Sequence, residues 1–220
     1  VVHGGGPQID AMLKRVGIEG QFVQGMRVTD ADTMGIVDGV LCGNVQGQIV
    51  NLINQAGKSY GVRAVGMSGK DGRMVRVKRM HLPDVQNPEI EHDIGLVGEV
   101  IGVDTALIEN LLDGDFLPVI SPIAADDQGV THNVNADVAA GEIACAMHAN
   151  KLMLLTNIKG VLDKQGELIA NIDSASATAL KADGTLYGGV GGVHIVDGRV
   201  RHVLLQCLLT DADVGTAIRV

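Results

Sequence analysis

Four short polar or glycine-rich stretches hold the residues that could do chemistry. They are His3–Gly6 (HGGG), Gly66–Gly72 (GMSGKDG), Asn133–Asp137 (NVNAD) and Thr156–Asp163 (TNIKGVLD). Each follows an apolar run that reads as a strand, and in α/β sheets ligands collect outside the carboxyl ends of strands. The glycines of HGGG let an anion approach main-chain N–H groups closely, and Pro7 opens a helix directly behind them. Such a turn suits a phosphate or an oxyanion held at a helix N-terminus. Where donors of this kind meet charge that develops only in the transition state, each is worth about 3–4 kcal/mol.

Two other uses of an HGGG turn fail on their partner residues. An esterase oxyanion loop requires a G-x-S-x-G nucleophile elbow. The nearest stretch, Gly66–Lys70 (GMSGK), ends in Lys, and Ser121 has no flanking glycines. A dinucleotide fingerprint counted from Gly4 requires glycine at position 9, which is Ile9, and no G-x-x-x-x-G-K-[ST] phosphate loop occurs. What remains is backbone positioning of an acyl or phosphoryl group. Arg27, in Met26–Asp30 (MRVTD), stands just before a helix cap and could fork onto a carboxylate. The plain alternative pairs it with Asp30 or Asp32. Asn133 and Asn135 are more than a cap needs and read as substrate donors, with Asp137 opening the next helix. Lys159 suits a nucleotide rim or a solvated loop equally well. The His residues show no metal-ligand spacing, so no metal site is expected. Cys42, Cys145 and Cys207 are odd in number and form no CxxC pair, which argues against a disulfide framework and for a reducing setting.

The elements that must position these groups alternate between strand and helix. Val1–His3 reads as a strand end, Pro7–Val16 as a helix, and Thr29 or Asp30 as the cap of a long helix through about Ala56. Arg63–Met67 reads as a strand, Arg73–Arg79 and His92–Val103 as antiparallel ribbons, and Asp104–Leu112 as a helix. Phe116–Ile123 is a buried strand, Asp137–Ala149 an Ala-rich helix and Leu152–Thr156 a strand. Ser174–Ala182 (helix), Val193–Val196 (strand), Val200–Leu209 (helix) and Gly215–Ile218 (strand) complete the series. This rhythm predicts an α/β fold with a mainly parallel sheet and helices on both faces. The 220 residues, 46% of them hydrophobic, suffice for one domain. A formal charge of −9 disfavours nucleic acid and anionic membranes as partners, and no apolar run reaches the ~18 residues of a membrane helix. The chain begins without Met, inside what reads as a strand, so a preceding segment is expected.

Together VVHGGGPQID, GMRVTDADTM, IVNLIN, GMSGKDG, DIGLVGEV, FLPVISPI, NVNADVAAGEIA, KLMLLTNIKGVLDKQGELI and VHIVDGRVRHVLL span nearly the whole chain. In this order they resemble the amino-acid kinase family, in its acetylglutamate kinase branch. The resemblance implies a three-layer αβα sandwich with a mainly parallel central sheet, and a cytoplasmic location. It implies an acetylglutamate-binding lobe over about 1–140 and a nucleotide-binding lobe over about 141–220. The implied reaction moves the γ-phosphoryl of ATP, carried with Mg2+, to the γ-carboxylate of N-acetyl-L-glutamate, the second step of arginine biosynthesis. Gly5 and Gly6 would donate N–H groups around the acyl and transferring phosphoryl groups. Arg27 would hold the substrate α-carboxylate, Asn133 would contact the acetylamino acid, and Asp137 would organise the catalytic lysines. Thr156, Asn157, Lys159, Gly160 and Val161 would lie by the nucleotide. A homo-oligomer, dimer or hexamer, is implied, with L-arginine as a feedback inhibitor in some members.

There are departures. The family's Lys-x-Gly-Gly strand before HGGG is absent, and Tyr187-Gly-Gly189 runs straight into Val190-Gly-Gly192, where the family has a Pro-Lys and a helix. Both catalytic lysines are therefore missing from these residues. In Thr210–Thr216 (TDADVGT), Asp213 stands where glycine is usual, and Cys207 replaces a common acidic residue, which weakens the expectation of arginine feedback. The competing readings are another kinase of the family, or a non-catalytic arginine- or nucleotide-sensing descendant. If the glycine turn is functional, Gly5→Ala or Gly6→Ala should cost turnover far more than stability.

Overall fold

A computed structural model describes residues 1–163, 165–173, 190–209 and 214–219. The chain divides into two units, Val1–Ala139 and Ala140–Val220.

In the first unit the glycine turn leads into α1 (Gly6–Val16), with Pro7 in its first turn and Ile9 and Leu13 buried one turn apart. Gly17, at φ 78, ends it in the left-handed conformation. A short hairpin of β1 (Phe22–Val23) and β2 (Met26–Arg27) sets Phe22 opposite Arg27. Asp30 then caps α2 (Ala31–Asp38), its Oδ1 accepting from the Thr33 N–H at 2.8 Å. The helix runs on through π-helical turns over Gly39–Val45 into α3 (Gln46–Gly57). The helical stretch Ala31–Tyr60 has the length and mean hydropathy to cross a membrane, although no uninterrupted apolar run in it reaches that length. Its Met34, Val37, Val40, Leu41 and Val45 nevertheless pack with Ile9 and Leu13 in one apolar cluster, so it serves here as a core helix.

Next come β3 (Arg63–Ser68), β4 (Val75–Pro83), β5 (Glu91–Val103), α4 (Ala106–Asp113), β6 (Phe116–Ser121), β7 (Ile123–Ala125), β8 (Thr131–Asn133) and α5 (Ala136–Ala146). Strands β3 and β6 pair in parallel over their full length. The expected strand at Val1–His3 is reduced to one parallel bridge, Val2 to Ile120. The expected β4–β5 ribbon is antiparallel, and with β7 and β8 it closes a small barrel. That closure is not a feature of a plain parallel sheet.

One crossing fastens the barrel to the helices. Thr29 donates its N–H to Ile94 O at 2.9 Å and accepts from the Leu96 N–H at 2.6 Å. Between these bonds lies Gly95, at φ +77, where a Cβ would fall 2.3 Å from the Thr29 carbonyl oxygen. Gly95→Ala combines left-handed strain with a backbone collision. It is expected to cost about 3–5 kcal/mol, lowering Tm by roughly 10 °C or more in thermal denaturation.

The second unit holds β9 (Leu152–Thr156), β10 (Asn171–Asp173), β11 (Gly192–Asp197), α6 (Val203–Leu209) and β12 (Thr216–Arg219). The sheet order is β10-β12-β11-β9, with β9–β11 and β10–β12 parallel and β11–β12 antiparallel. Its core gathers Ala144, Leu152, Ile172, Val190, Val193 and Ile218. The α/β class with predominantly parallel pairing therefore holds. The expected helix at Ser174–Ala182 lies outside the described residues, as do the Tyr187–Gly189 junction and Asp213.

Candidate active site

The glycine turn sits at the head of α1, and among the described residues no side chain caps that helix. Its first N–H groups, which have no partners inside the helix, are thus left for other acceptors. Beneath the turn His3 is buried, with Nδ1 3.0 Å from the Gly4 carbonyl. Burial lowers the imidazole pKa, so the ring is neutral at pH 7. Gly5 and Gly6 differ in their surroundings. A Cβ on Gly5 would meet Leu41 Cδ2 at 2.6 Å and Val45 Cγ2 at 3.3 Å, whereas a Cβ on Gly6 would meet nothing within 4 Å. Gly5 is therefore also a packing position, whereas Gly6 is not.

A cavity of about 190 Å³ opens beside the turn. Gly4, Gly5, Gly6, Arg27, Asn133 and Asn135 are among its lining residues. The first unit thus brings Gly5, Gly6, Arg27 and Asn133 to one place. Arg27 is only 9% exposed. Its partner is neither Asp30 nor Asp32, the pairing weighed from sequence, because Nη2 donates to Asp10 Oδ1 at 2.7 Å. Phe22 lies on the guanidinium, with its ring centre 4.6 Å from Cζ, and Nη1 is buried without a hydrogen bond among the described residues. Asp10, Phe22 and Gly20 escaped sequence reasoning. Phe22 alone had a signal, a paired position across a two-residue turn.

Asn133 directs Nδ2 toward Thr29 Oγ1 at 3.4 Å. Asn135 also lines the cavity, and its side-chain oxygen is engaged locally. Its Oδ1 accepts from the Asp137 and Val138 N–H groups at 2.9 and 3.1 Å, so it is the cap of α5. Asp137 lies in the first turn of that helix. Surrounding protein raises its carboxyl pKa by desolvation.

The remaining candidates belong to the second unit, at the carboxyl end of β9. Thr156 closes the strand opposite Asp197 of β11, and Asn157 and Lys159 are exposed in the loop that follows. The Arg199 side chain and N–H hold the Asp197 carboxyl down at about 2, and Lys159 adds a smaller pull. Gly160, at φ +147, could not carry a side chain, since a Cβ would fall 2.6 Å from Thr216 Oγ1 and 2.7 Å from Leu168 Cδ1. The Val161 N–H is already committed to Thr216 Oγ1 at 2.8 Å, so it has no donor left for a nucleotide.

Comparison with known proteins accords with this geometry. The profile described as "Amino acid kinase family" matches residues 1–196. The chain belongs to the amino acid kinase family. An acetylglutamate kinase of Albidiferax ferrireducens is 48% identical over 234 aligned positions, covering all of this chain and 78% of that protein. Those 234 positions exceed the chain's 220 residues, so the relative carries residues within the matched span that have no counterpart here. Among solved structures, smu.665 of Streptococcus mutans has a TM-score of 0.76 at 28% identity, over 99% of this chain and 84% of that one. An N-acetylglutamate synthase of Neisseria gonorrhoeae, complexed with coenzyme A and N-acetyl-glutamate, has a TM-score of 0.78 at 24% identity. The match spans 99% of this chain and 51% of that one, and at that identity it speaks for the fold alone.

Proposed function

We propose that the protein is an acetylglutamate kinase, a phosphotransferase of arginine biosynthesis. It moves the γ-phosphoryl of ATP to the γ-carboxylate of N-acetyl-L-glutamate and yields N-acetyl-L-glutamyl 5-phosphate. One observation carries the reading beyond the relatives' name. A single cavity joins two receptors for anions, the uncapped glycine turn and the buried Arg27, with the Asn133 amide on the same wall. N-acetylglutamate is a dicarboxylate with an amide, so it offers one anion to each receptor and a carbonyl to the third group. In this assignment Arg27 takes the α-carboxylate. The γ-carboxylate lies at the glycine turn, where its oxygen attacks Pγ as the bond from Pγ to the bridging oxygen of ADP breaks. The N–H groups of Gly5 and Gly6 stabilise the charge shared by the acyl oxygen and the transferring phosphoryl. No covalent nucleophile is required.

Thr156, Asn157 and Lys159 form the nucleotide rim of this proposal, with Gly160 shaping the loop. Asp137 orients cationic groups beside the transferring phosphoryl. Among the described residues no three metal-ligating side chains converge, so Mg2+ would arrive held by the ATP phosphates and water. Self-association, as a dimer or hexamer, is part of the proposal. Feedback by L-arginine rests on Thr210–Thr216, much of which lies outside the described residues.

The direct test uses hydroxylamine with the full-length protein. Hydroxamate should form only when ATP, Mg2+ and N-acetyl-L-glutamate are all present, and its absence would overturn the proposal. A second reading is a ligand-binding descendant without activity. That protein would gain Tm from acetylglutamate or nucleotide and make no hydroxamate.

A further inference from the structure

Arg27 is held from three sides, by residues to which sequence reasoning assigns no role. Asp10 binds Nη2 at 2.7 Å. Phe22 covers the face of the guanidinium. Gly20 leaves the space that Nη1 fills, since a Cβ there would lie 3.0 Å from Nη1 and 3.7 Å from Asp10 Oδ1. The Asp10 side chain is 55% exposed and that of Arg27 only 7%. The carboxylate thus reaches inward from the surface to a buried cation.

From this we propose that Asp10 is a positioning residue that sets the guanidinium for the acceptor's carboxylate, an inference that rests on the function proposed above. Asp10 lies on α1, the same helix whose N-terminus forms the glycine turn. The ion pair therefore references Arg27 to the element that holds the reacting end of the acceptor. Arg has five N–H donors. Asp10 uses Nη2, and Nη1, buried and without a hydrogen bond among the described residues, keeps donors for a second carboxylate. An arginine fixed in advance loses less rotamer freedom when the ligand arrives. The pairing is also monodentate, which suits a support better than a competitor. A carboxylate forked onto both Nη atoms would have to be displaced by substrate, and this one does not.

The test is steady-state kinetics of the full-length protein carrying Asp10→Asn, with Asp10→Glu as the conservative control. Asp10→Asn should raise KM for N-acetyl-L-glutamate about 10-fold while KM for ATP stays within about 2-fold. Asn keeps an oxygen that can accept from Nη2, but the buried guanidinium loses its countercharge, so Tm should fall by up to about 5 °C. Asp10→Glu should recover most of the loss. An unchanged or lowered KM for the acceptor would overturn the inference, the lowered value marking Asp10 as a competitor. Equal increases for both substrates would also overturn it, as a general structural effect. If the wild-type protein makes no acyl phosphate, the functional reading fails and this inference falls with it. An active wild type matched by Asp10→Asn removes the inference alone.

Discussion

Gly6→Ala is expected to lower kcat by about 100-fold while Tm stays within about 1 °C. The two halves of this expectation have separate causes. A methyl group on Gly6 meets nothing within 4 Å, and the residue does not occupy the left-handed region, so the fold has no reason to object. The same methyl projects where an acyl or phosphoryl oxygen must approach the first turn of α1, and loss of one such donor contact costs about 3–4 kcal/mol of transition-state stabilisation. Gly5→Ala serves as the contrast. Its methyl would press on Leu41 and Val45 in the buried apolar cluster. Stability should therefore fall by about 1–3 kcal/mol together with activity. Turnover measured beside thermal melting separates the two positions. Matching losses of Tm in both variants would mean that the turn is merely structural.

The second large effect belongs to Arg27. Arg27→Ala should raise KM for N-acetyl-L-glutamate by about 100-fold or more, as expected for losing a charged pair of hydrogen bonds at about 1.5–3 kcal/mol each. KM for ATP should move little. Phe22 would lose its cation and Asp10 would be left unpaired, but Asp10 is open to solvent, so the cost to folding is modest. Arg27→Lys is a useful companion, because a point charge keeps attraction to a carboxylate and loses the fork. An intermediate KM would support recognition by geometry. If both variants bound acetylglutamate like the wild type in calorimetry, Arg27 would not be the carboxylate receptor.

Much of this arrangement was legible in the residues because the relevant signals are local. Three glycines followed by Pro7 announce a turn into a helix, and Asp30 caps where its type and position suggest. Strand β9 occupies Leu152–Thr156, the apolar run that marks it. What could not be read depended on distant pairing. Arg27 had two acidic neighbours in sequence and chose neither, because the β1–β2 turn carries it toward α1 and Asp10. The second use of Asn135, as the cap of α5 through its oxygen, shows only once the helix start is placed. The barrel is closed by β7 and β8, three residues each, too short to show a period. Gly95 stands in DIGLVGEV, but only its positive φ and the Thr29 carbonyl beside it explain why it must be glycine.

The π-helical turns over Gly39–Val45 have a consequence for the history of the site. They supply Leu41 and Val45, the two aliphatic side chains on which Gly5 rests. The floor of the anion turn is thus hydrocarbon, contributed by a segment with no polar role in catalysis. Ordinary drift among Leu, Ile, Val and Met, which a core absorbs at small cost to stability, would here tilt the turn against the acceptor. Exchanges at Leu41 or Val45 that folding would forgive are thus expected to alter the fit of the acceptor at the turn.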